Sequence, residues 1–385
     1  MKFNGYLRPD GKIGIRNYLA IIPTSVCSAT VAFNIASHIP QAIALPNQHG
    51  CCQLGGDHEQ TVNTLIGLGK NPNVAAVLVV GLGCEGVPIR KVAEEIASTG
   101  KTVDTLIIQE CGGTLKTTTL GIQKASKMAR DISLISAQEF PISELCLGVE
   151  CGGSDFTSGL ASNPAVGVAS DLLVAAGGTS MLSETTEFIG AEHILAKRAK
   201  TPELAKKILD LIQDCEERAK MLNIDIRGGQ PTPGNIQGGI SSIEEKSLGC
   251  IYKAGLSPIS GVLAYGEIPK EKGLYIMDTP GQDVESITGM VAGGATIIVF
   301  TTGRGTPTGS PLAPVIKITA NPETYEKMSD NIDIDASSII LGEKTINQVG
   351  QEILEEIVAV ANGKLTKAES LGHREFGIYK IAPTF

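Results

Sequence analysis

The sequence predicts an α/β protein made of two Rossmann-like parallel-sheet units, with Gly-rich loops at the rim where the strands end. Three observations carry that prediction. Short runs rich in Val, Ile and Leu recur along the chain, amphipathic helical patterns separate them, and Gly reaches 45 of 385 residues, gathered largely where those runs stop. Short β-branched runs that stop at Gly-rich turns read as strands buried on both faces, and the helices between them supply the parallel crossovers.

In chain order, strands are predicted at 17–22 (NYLAII), 42–45 (AIAL), 74–81 (VAAVLVVG), 103–108 (VDTLII), 145–149 (LCLGV), 274–277 (LYIM) and 296–300 (TIIVF). Helices are predicted at 57–69, 88–99, 190–222 and 346–362, the last reading INQVGQEILEEIVAVAN with apolar residues every three to four positions. Breaks fall near 137–143 and 226–239, where Gly, Pro and polar residues concentrate (RGGQPTPGNIQGG). The expected division is an N-terminal α/β domain, 1–140, and a larger one, 141–385, with 226–239 as a linker or a lid over an active site.

Composition removes several functions. Lys and Arg number 32 against 41 Asp and Glu, so the net charge of −9 repels nucleic acid and acidic lipid. Aromatic residues are 4% with no Trp, which leaves little for base stacking. The charged start MKFNGYLRPDGKIGIRN and the absence of a membrane-length apolar run point to the cytoplasm. Nine cysteines, none in a CxxC pair, fit free thiols better than a disulfide framework, a zinc ribbon or an iron–sulfur cluster. A nicotinamide dinucleotide is disfavoured because the first predicted strand, 17–22, does not run into a GxGxxG turn. The exposed Gly-rich loops leave room for a homo-oligomer.

A single pattern repeats at predicted strand ends, a Gly-rich turn carrying Cys, Glu, Asp or Thr: GLGCEG at 81–86, QECGGT at 109–114, VECGGSD at 149–155, AGGTSMLSETTE at 176–187 and AGGATIIVFTTGRGT at 293–306. Strand C-termini of an open parallel sheet share one rim, so these turns predict a site assembled from several loops. Within the pairs Cys84-Glu85, Glu110-Cys111 and Glu150-Cys151, adjacent strand residues point to opposite faces, so each pair offers one member to a given face. His49 precedes Cys51 and Cys52, a combination suited to acid–base work or a transition metal. Thr301, Thr302, Gly303 and Arg304 form the expected anion site, and Lys246, after the Gly-rich stretch, is placed to hold a carboxylate. Glu187 and His193 flank a predicted helix start, and Asp278 ends a strand.

Long strings in this chain resemble the altronate dehydratase and galactarate dehydratase family, which also contains the large subunit of sulfolactate sulfo-lyase. They are GYLRPDGKIGIRNY (5–18), NPNVAAVLVVGLGCE (71–85), ECGGSDFTSGLASNPAVGVASD (150–171), LSETTEFIGAEHILAKRA (182–199), EEKSLG (244–249), MDTPG (277–281) and FTTGRGTPTG (300–309). The resemblance implies a lyase dependent on a divalent metal, Fe(2+) first and Mn(2+) second. It would remove water from a sugar acid by α-proton abstraction and β-elimination, giving a 2-keto-3-deoxy acid. Sulfite release from sulfolactate to give pyruvate is the alternative, and a non-catalytic sugar-acid-binding subunit an alternative of another class. Fused members carry a small domain ahead of the GYLRPDG-like segment, so a separate small subunit is the expected partner. In the family a Ser or similar residue commonly stands where this chain has Cys52.

For that chemistry the expected catalytic residues are His49, Glu150, Asp155, Glu187, Lys246 and Arg304. Arg304, Lys246, Thr301, Thr302 and Gly303 are expected to bind substrate, and Cys151, Asp278 and His193 to hold the metal.

Overall fold

The computed structural model describes residues 1–384. Two parallel sheets dominate. The four-stranded sheet runs, from edge to edge, Ala42–Ala44, Tyr18–Pro23, Val74–Gly81 and Thr102–Ile107. The seven-stranded sheet runs Ile259–Leu263, Gly273–Met277, Thr179–Leu182, Cys146–Gly152, Ile297–Thr302, Val315–Thr319 and Ile334–Asp335. Every pairing within both sheets is parallel. Val74–Gly81 is buried at all its positions, as a strand covered by helices on both faces must be.

The predicted strands all form, with ends shifted by a few residues, and the sheets also recruit runs that the apolar pattern did not single out, such as Thr179–Leu182 and Val315–Thr319. These are short and carry Thr or Lys, so only neighbouring strands make them buried ladder members. The break expected near 137–143 contains a strand: Gln138–Pro141 pairs antiparallel with Lys2–Leu7, tying the N-terminus to the chain between the sheets.

The single helix expected over 190–222 is corrected to two, Glu192–Ala196 and Pro202–Met221. Thr201 caps the second by accepting from the Leu204 amide at 3.2 Å, and Pro202 at the first helical position cannot donate back into a preceding turn. Ala199, in the gap, bridges to Ile259.

The two sheets share a core. Ala20, Val77 and Val79 of the smaller sheet belong to one apolar cluster with Met181, Ile298 and Phe300 of the larger. Helices Gly55–Lys70 and Asp283–Ala292 pack closely there: a Cβ at Gly67 would lie 2.5 Å from the Ala292 carbonyl oxygen. Buried polar bonds fix the same interface. Asn73 Nδ2 donates to the carbonyls of Thr296 (2.9 Å) and Leu312 (2.8 Å), and Asn71 Nδ2 to those of Val291 (2.7 Å) and Ala295 (2.9 Å). The arginines of the first motif are structural ties as well. Arg8 donates to the Pro72 carbonyl at 2.6 Å, and Arg16 grips Glu369 through two nitrogens at 2.8 and 2.9 Å. Among the described residues no helix is long and apolar enough to cross a membrane.

Candidate active site

The larger sheet gathers a buried charged cluster at its C-terminal rim. Strand Cys146–Gly152 delivers Glu150 and Cys151, and the turn after Thr179–Leu182 delivers Glu184 and Glu187. Helix Ile243–Ile251 and its continuation Tyr252–Ala254 cover the rim with Lys246, Cys250 and Lys253. Helix Asp283–Ala292 begins beside it with Asp283. Glu184 adopts a left-handed backbone (φ 72°), which aims its carboxylate inward between the neighbouring strand ends.

Lys253, with 0% of its surface exposed, donates to Glu184, to Cys151 Sγ at 2.9 Å and to Glu187 Oε2 at 3.3 Å. Lys246 pairs with Glu187 Oε1 at 2.9 Å and donates to Gln230 at 2.7 Å. Cys151 Sγ lies 2.9 Å from Glu187 Oε2 and 3.4 Å from Cys250 Sγ. On the other side Glu150 Oε2 accepts from Ser183 (3.1 Å) and Ser286 (2.7 Å). Both members of the Glu150-Cys151 pair are therefore used, because the strand end is covered on both faces.

Burial raises the pKa of Glu150 well above the ordinary carboxylate value, and the Glu184 charge adds to that rise. Burial acts on Glu187 in the same direction, but the Lys246 and Lys253 ammoniums outweigh it and hold Glu187 below the usual range. Asp283 is pushed up to about 7, first by burial and then by the Glu184 and Glu187 charges. The lysines stay protonated: burial opposes their charge, while Glu187 beside Lys246, and Cys151, Glu184 and Glu187 beside Lys253, more than offset it. Two groups of donors are able to hold a metal, Cys151 with Glu187 and Cys250, and Glu150 with Glu184 and Asp283, each with its ligand atoms within 4.8 Å of one another.

Of the residues expected from sequence, Glu150, Cys151, Glu187 and Lys246 come together here. Asp155 lies at the adjoining loop, where Oδ1 accepts from Thr157 Oγ1 (2.7 Å), the Ser158 amide (3.0 Å) and Ser158 Oγ (3.2 Å), and Oδ2 from Asn321 (2.9 Å). Thr301 Oγ1 donates to Asn163 at 2.5 Å and Thr302 Oγ1 accepts from the Gly305 amide at 2.9 Å, so both hydroxyls hold the loop. Gly303 leaves space for Asp155, whose Cγ a Cβ would meet at 2.3 Å. Arg304 is exposed and lines a cavity of about 540 Å³ with Asp155, Asn321 and Lys327. A second cavity, about 270 Å³, shares Asp155 and Phe156 and is edged by Lys246 and Cys250.

The expected metal set does not converge and is corrected. Cys151 is in the cluster, but Asp278 accepts from Thr185 Oγ1 at 2.7 Å and faces Arg218 at 3.8 Å, while His193 is exposed on its short helix. His49 stands on the smaller sheet's rim, half-buried, and its imidazole has no hydrogen-bond partner among the described residues. The 226–239 stretch packs over the rim: Asn235 Nδ2 donates to the Ser154 carbonyl at 2.8 Å, and the Phe156 amide to the Gly238 carbonyl at 2.9 Å.

Sequence reasoning missed Lys253, Cys250, Glu184 and Asp283 as site residues. A signal existed for two of them, since Lys246, Cys250 and Lys253 follow an i, i+4, i+7 spacing that puts them on one helix face. Nothing local marked Glu184, whose backbone conformation is set by the strands around it.

Comparison with known proteins places this geometry in a family. Residues 142–384 match the family described as D-galactarate/altronate dehydratase, C-terminal, and residues 5–133 match D-galactarate dehydratase/altronate hydrolase, second domain. The β subunit of (2R)-sulfolactate sulfo-lyase from Chromohalobacter salexigens is 38% identical over 385 residues, covering 98% of this chain and 97% of that protein. Altronate dehydratase of Bacillus subtilis (strain 168) is 36% identical over 395 residues, covering 99% of this chain and 78% of that protein. Galactarate dehydratase (L-threo-forming) of Escherichia coli (strain K12) is 34% identical over 404 residues, with coverages of 99% and 77%. One relative is named a sulfo-lyase and two are named dehydratases, and the descriptions of both matched regions name D-galactarate dehydratase and an altronate enzyme. The chain therefore belongs to the D-galactarate/altronate dehydratase family.

Proposed function

We propose that the chain is the large subunit of a divalent-metal-dependent lyase that removes water from a sugar acid of the altronate or galactarate kind, giving a 2-keto-3-deoxy acid. The observation that carries this reading is the pair of buried ammoniums, Lys246 and Lys253, fixed by Glu187 at the rim, with Lys246 at the edge of the 270 Å³ cavity. Removing the proton α to a carboxylate makes an enediolate, and a preorganised cation in a water-poor site stabilises that charge. Glu187 is a positioning residue that keeps both lysines charged and in place. Arg304, in the neighbouring cavity, captures the substrate carboxylate.

The proton acceptor is His49. Of the other sequence-expected acid–base groups, Glu187 is held by the lysines, Asp155 by four hydrogen bonds, and Glu150 is fully buried with one oxygen held by Ser183 and Ser286, whereas the half-buried His49 imidazole is unpartnered among the described residues. Its neighbour Gln48 packs against the C-terminal segment that also touches helix Asp283–Ala292: a Cβ at Gly377 would lie 3.7 Å from Gln48 and 3.4 Å from Glu285. The proton His49 takes from the α-carbon leaves with the hydroxyl as water, so one imidazole serves both transfers. A ferrous or manganous ion would be held by acidic donors of the cluster, Glu150, Glu184 and Asp283, and would supply Lewis-acid polarisation.

Sulfite elimination from sulfolactate is the second reading, favoured by coverage, because the match extends over 97% of the sulfo-lyase subunit against 78% of the Bacillus dehydratase. That relative is named as a subunit, which supports a separate small subunit as partner. The proposal includes two domains meeting near residue 140 and a cytoplasmic place of work.

The test is anaerobic turnover with ferrous iron, with and without a co-expressed small-domain partner, following keto acid and sulfite from altronate, galactarate and 3-sulfolactate. Keto acid without sulfite is the expected result, sulfite selects the second reading, and silence throughout leaves a binding subunit.

A further inference from the structure

We propose that the divalent cation is bound by the carboxylates of Glu150, Glu184 and Asp283, and not by the group containing Cys151, Glu187 and Cys250. The inference rests on the metal-dependent reading above for its role, although binding is measured without turnover.

The carboxylate group has vacant donors where a buried protein should have none. Glu150 and Glu184 are each 0% exposed, and one oxygen of each, Oε1, has no hydrogen-bond partner. Their other oxygens are engaged, Glu150 Oε2 by two serines and Glu184 Oε2 by Lys253 and the Cys151 amide at 3.1 Å. A buried carboxylate oxygen without a partner is costly, and both residues offer a carboxylate oxygen within 4.8 Å of one from Asp283, an arrangement a cation relieves. Gly152 preserves the space: a Cβ there would sit 2.5 Å from Asp283 Oδ2.

The thiol group lacks such a vacancy. The Lys253 ammonium lies 2.9 Å from Cys151 Sγ and 3.3 Å from Glu187 Oε2, and Lys246 takes Glu187 Oε1. Positive charge already stands where a metal would. Three oxygen donors select a hard cation such as Mn(2+) or Fe(2+) over thiolate-seeking metals.

The experiment titrates the full chain with Mn(2+), without substrate, and reads free Mn(2+) by electron paramagnetic resonance. One ion per chain is expected, with affinity at least about tenfold weaker in Glu150→Gln and Asp283→Asn, the size of effect that loss of a coordinating or supporting group produces. Cys250→Ser should bind within about twofold of the wild type, since thiols take no part. Gly152→Ala, which leaves every donor in place, should weaken binding by crowding Asp283, and melting curves without metal establish that each variant is folded. Absence of Mn(2+) binding by the wild type, or loss in Cys250→Ser with retention in Asp283→Asn, would overturn the assignment. Mn(2+) bound as expected by a chain that turns over no hydroxy acid would instead count against the lyase reading alone.

Discussion

The two parallel sheets carry the same sequence device at their rims, a Cys-Glu pair in a Gly-rich turn, and do opposite things with it. On the smaller sheet Glu85 folds back on its own loop, accepting from the amides of Leu82 (2.8 Å) and Gly83 (2.6 Å) and from Thr24 Oγ1 (2.6 Å). Cys84, Cys51 and Cys52 there are exposed. On the larger sheet Glu150 and Cys151 are sealed under helix 243–254, and one Glu150 oxygen is left without a partner. A rim becomes a charged site when a distant segment brings cations and excludes water; without that cover, the same residues only close a turn.

The sharpest way to break the contrast is Lys253→Met. Removing the ammonium leaves Glu184 buried without its ion pair and Glu187 with Lys246 alone, so stability should fall by about 3–5 kcal/mol in chemical denaturation. A loss below about 1 kcal/mol, the size of an exposed pair, would show that the cluster is not closed to water. Next comes Arg304→Ala, on the open side of the same rim. Turnover efficiency should drop on the order of 100-fold, the worth of a strong charge-assisted hydrogen bond to substrate, with the melting temperature unchanged because the side chain is exposed. Near-normal kinetics would remove Arg304 from the substrate site.

Glu85→Ala tests the smaller rim. Three hydrogen bonds are lost from a half-buried carboxylate, and about 1–3 kcal/mol of stability should go with them, while Mn(2+) affinity is untouched. A loss of metal binding would show that the Glu85 loop supports the carboxylates of the larger rim.

The mildest effect contrasts two buried lysines. Lys101, just ahead of strand Thr102–Ile107, donates to the carbonyls of Gly69 (3.0 Å) and Asn71 (2.7 Å) without a salt-bridge partner, and burial pushes its pKa down to about 7 although Asp10 acts to raise it. Between that value and the unfolded one near 10.4 the unfolded chain binds more protons, so stability should rise with pH across this window and show no contribution from Lys101 below it. Lys101→Met should flatten that slope. A slope that survives the substitution belongs to another group, whereas Lys253, whose charge burial opposes but Cys151, Glu184 and Glu187 more than restore, should add none around neutral pH.

Much of the fold was legible because strand and helix signals are local. Val74–Gly81 is apolar and β-branched from end to end, and Ile346–Ala361 repeats its apolar residues at helical spacing. The helix over 190–222 failed because Thr201-Pro202 is a stop and start that outweighed the continuous pattern on either side. The site was legible in part. Glu150, Cys151, Glu187 and Lys246 were identifiable from strand-end position and residue chemistry, whereas Glu184 and Asp283 look like any acid in a turn or a first helical turn until the rim is assembled.

The sequence by itself determined the α/β class, the family and the rim as the place where Cys, Glu and Lys side chains gather, since these rest on periodicity, strand-end turns and long motif strings. Tertiary structure alone decided which charges meet. Lys253 reaches Glu184 across 69 residues of chain and Glu150 meets Ser286 across 136. No local pattern encodes such distances. Their energetics depend on burial and on partners brought by other elements, and the same carboxylate that caps an open loop at Glu85 becomes, under a helix carrying two lysines, a vacant donor at Glu150.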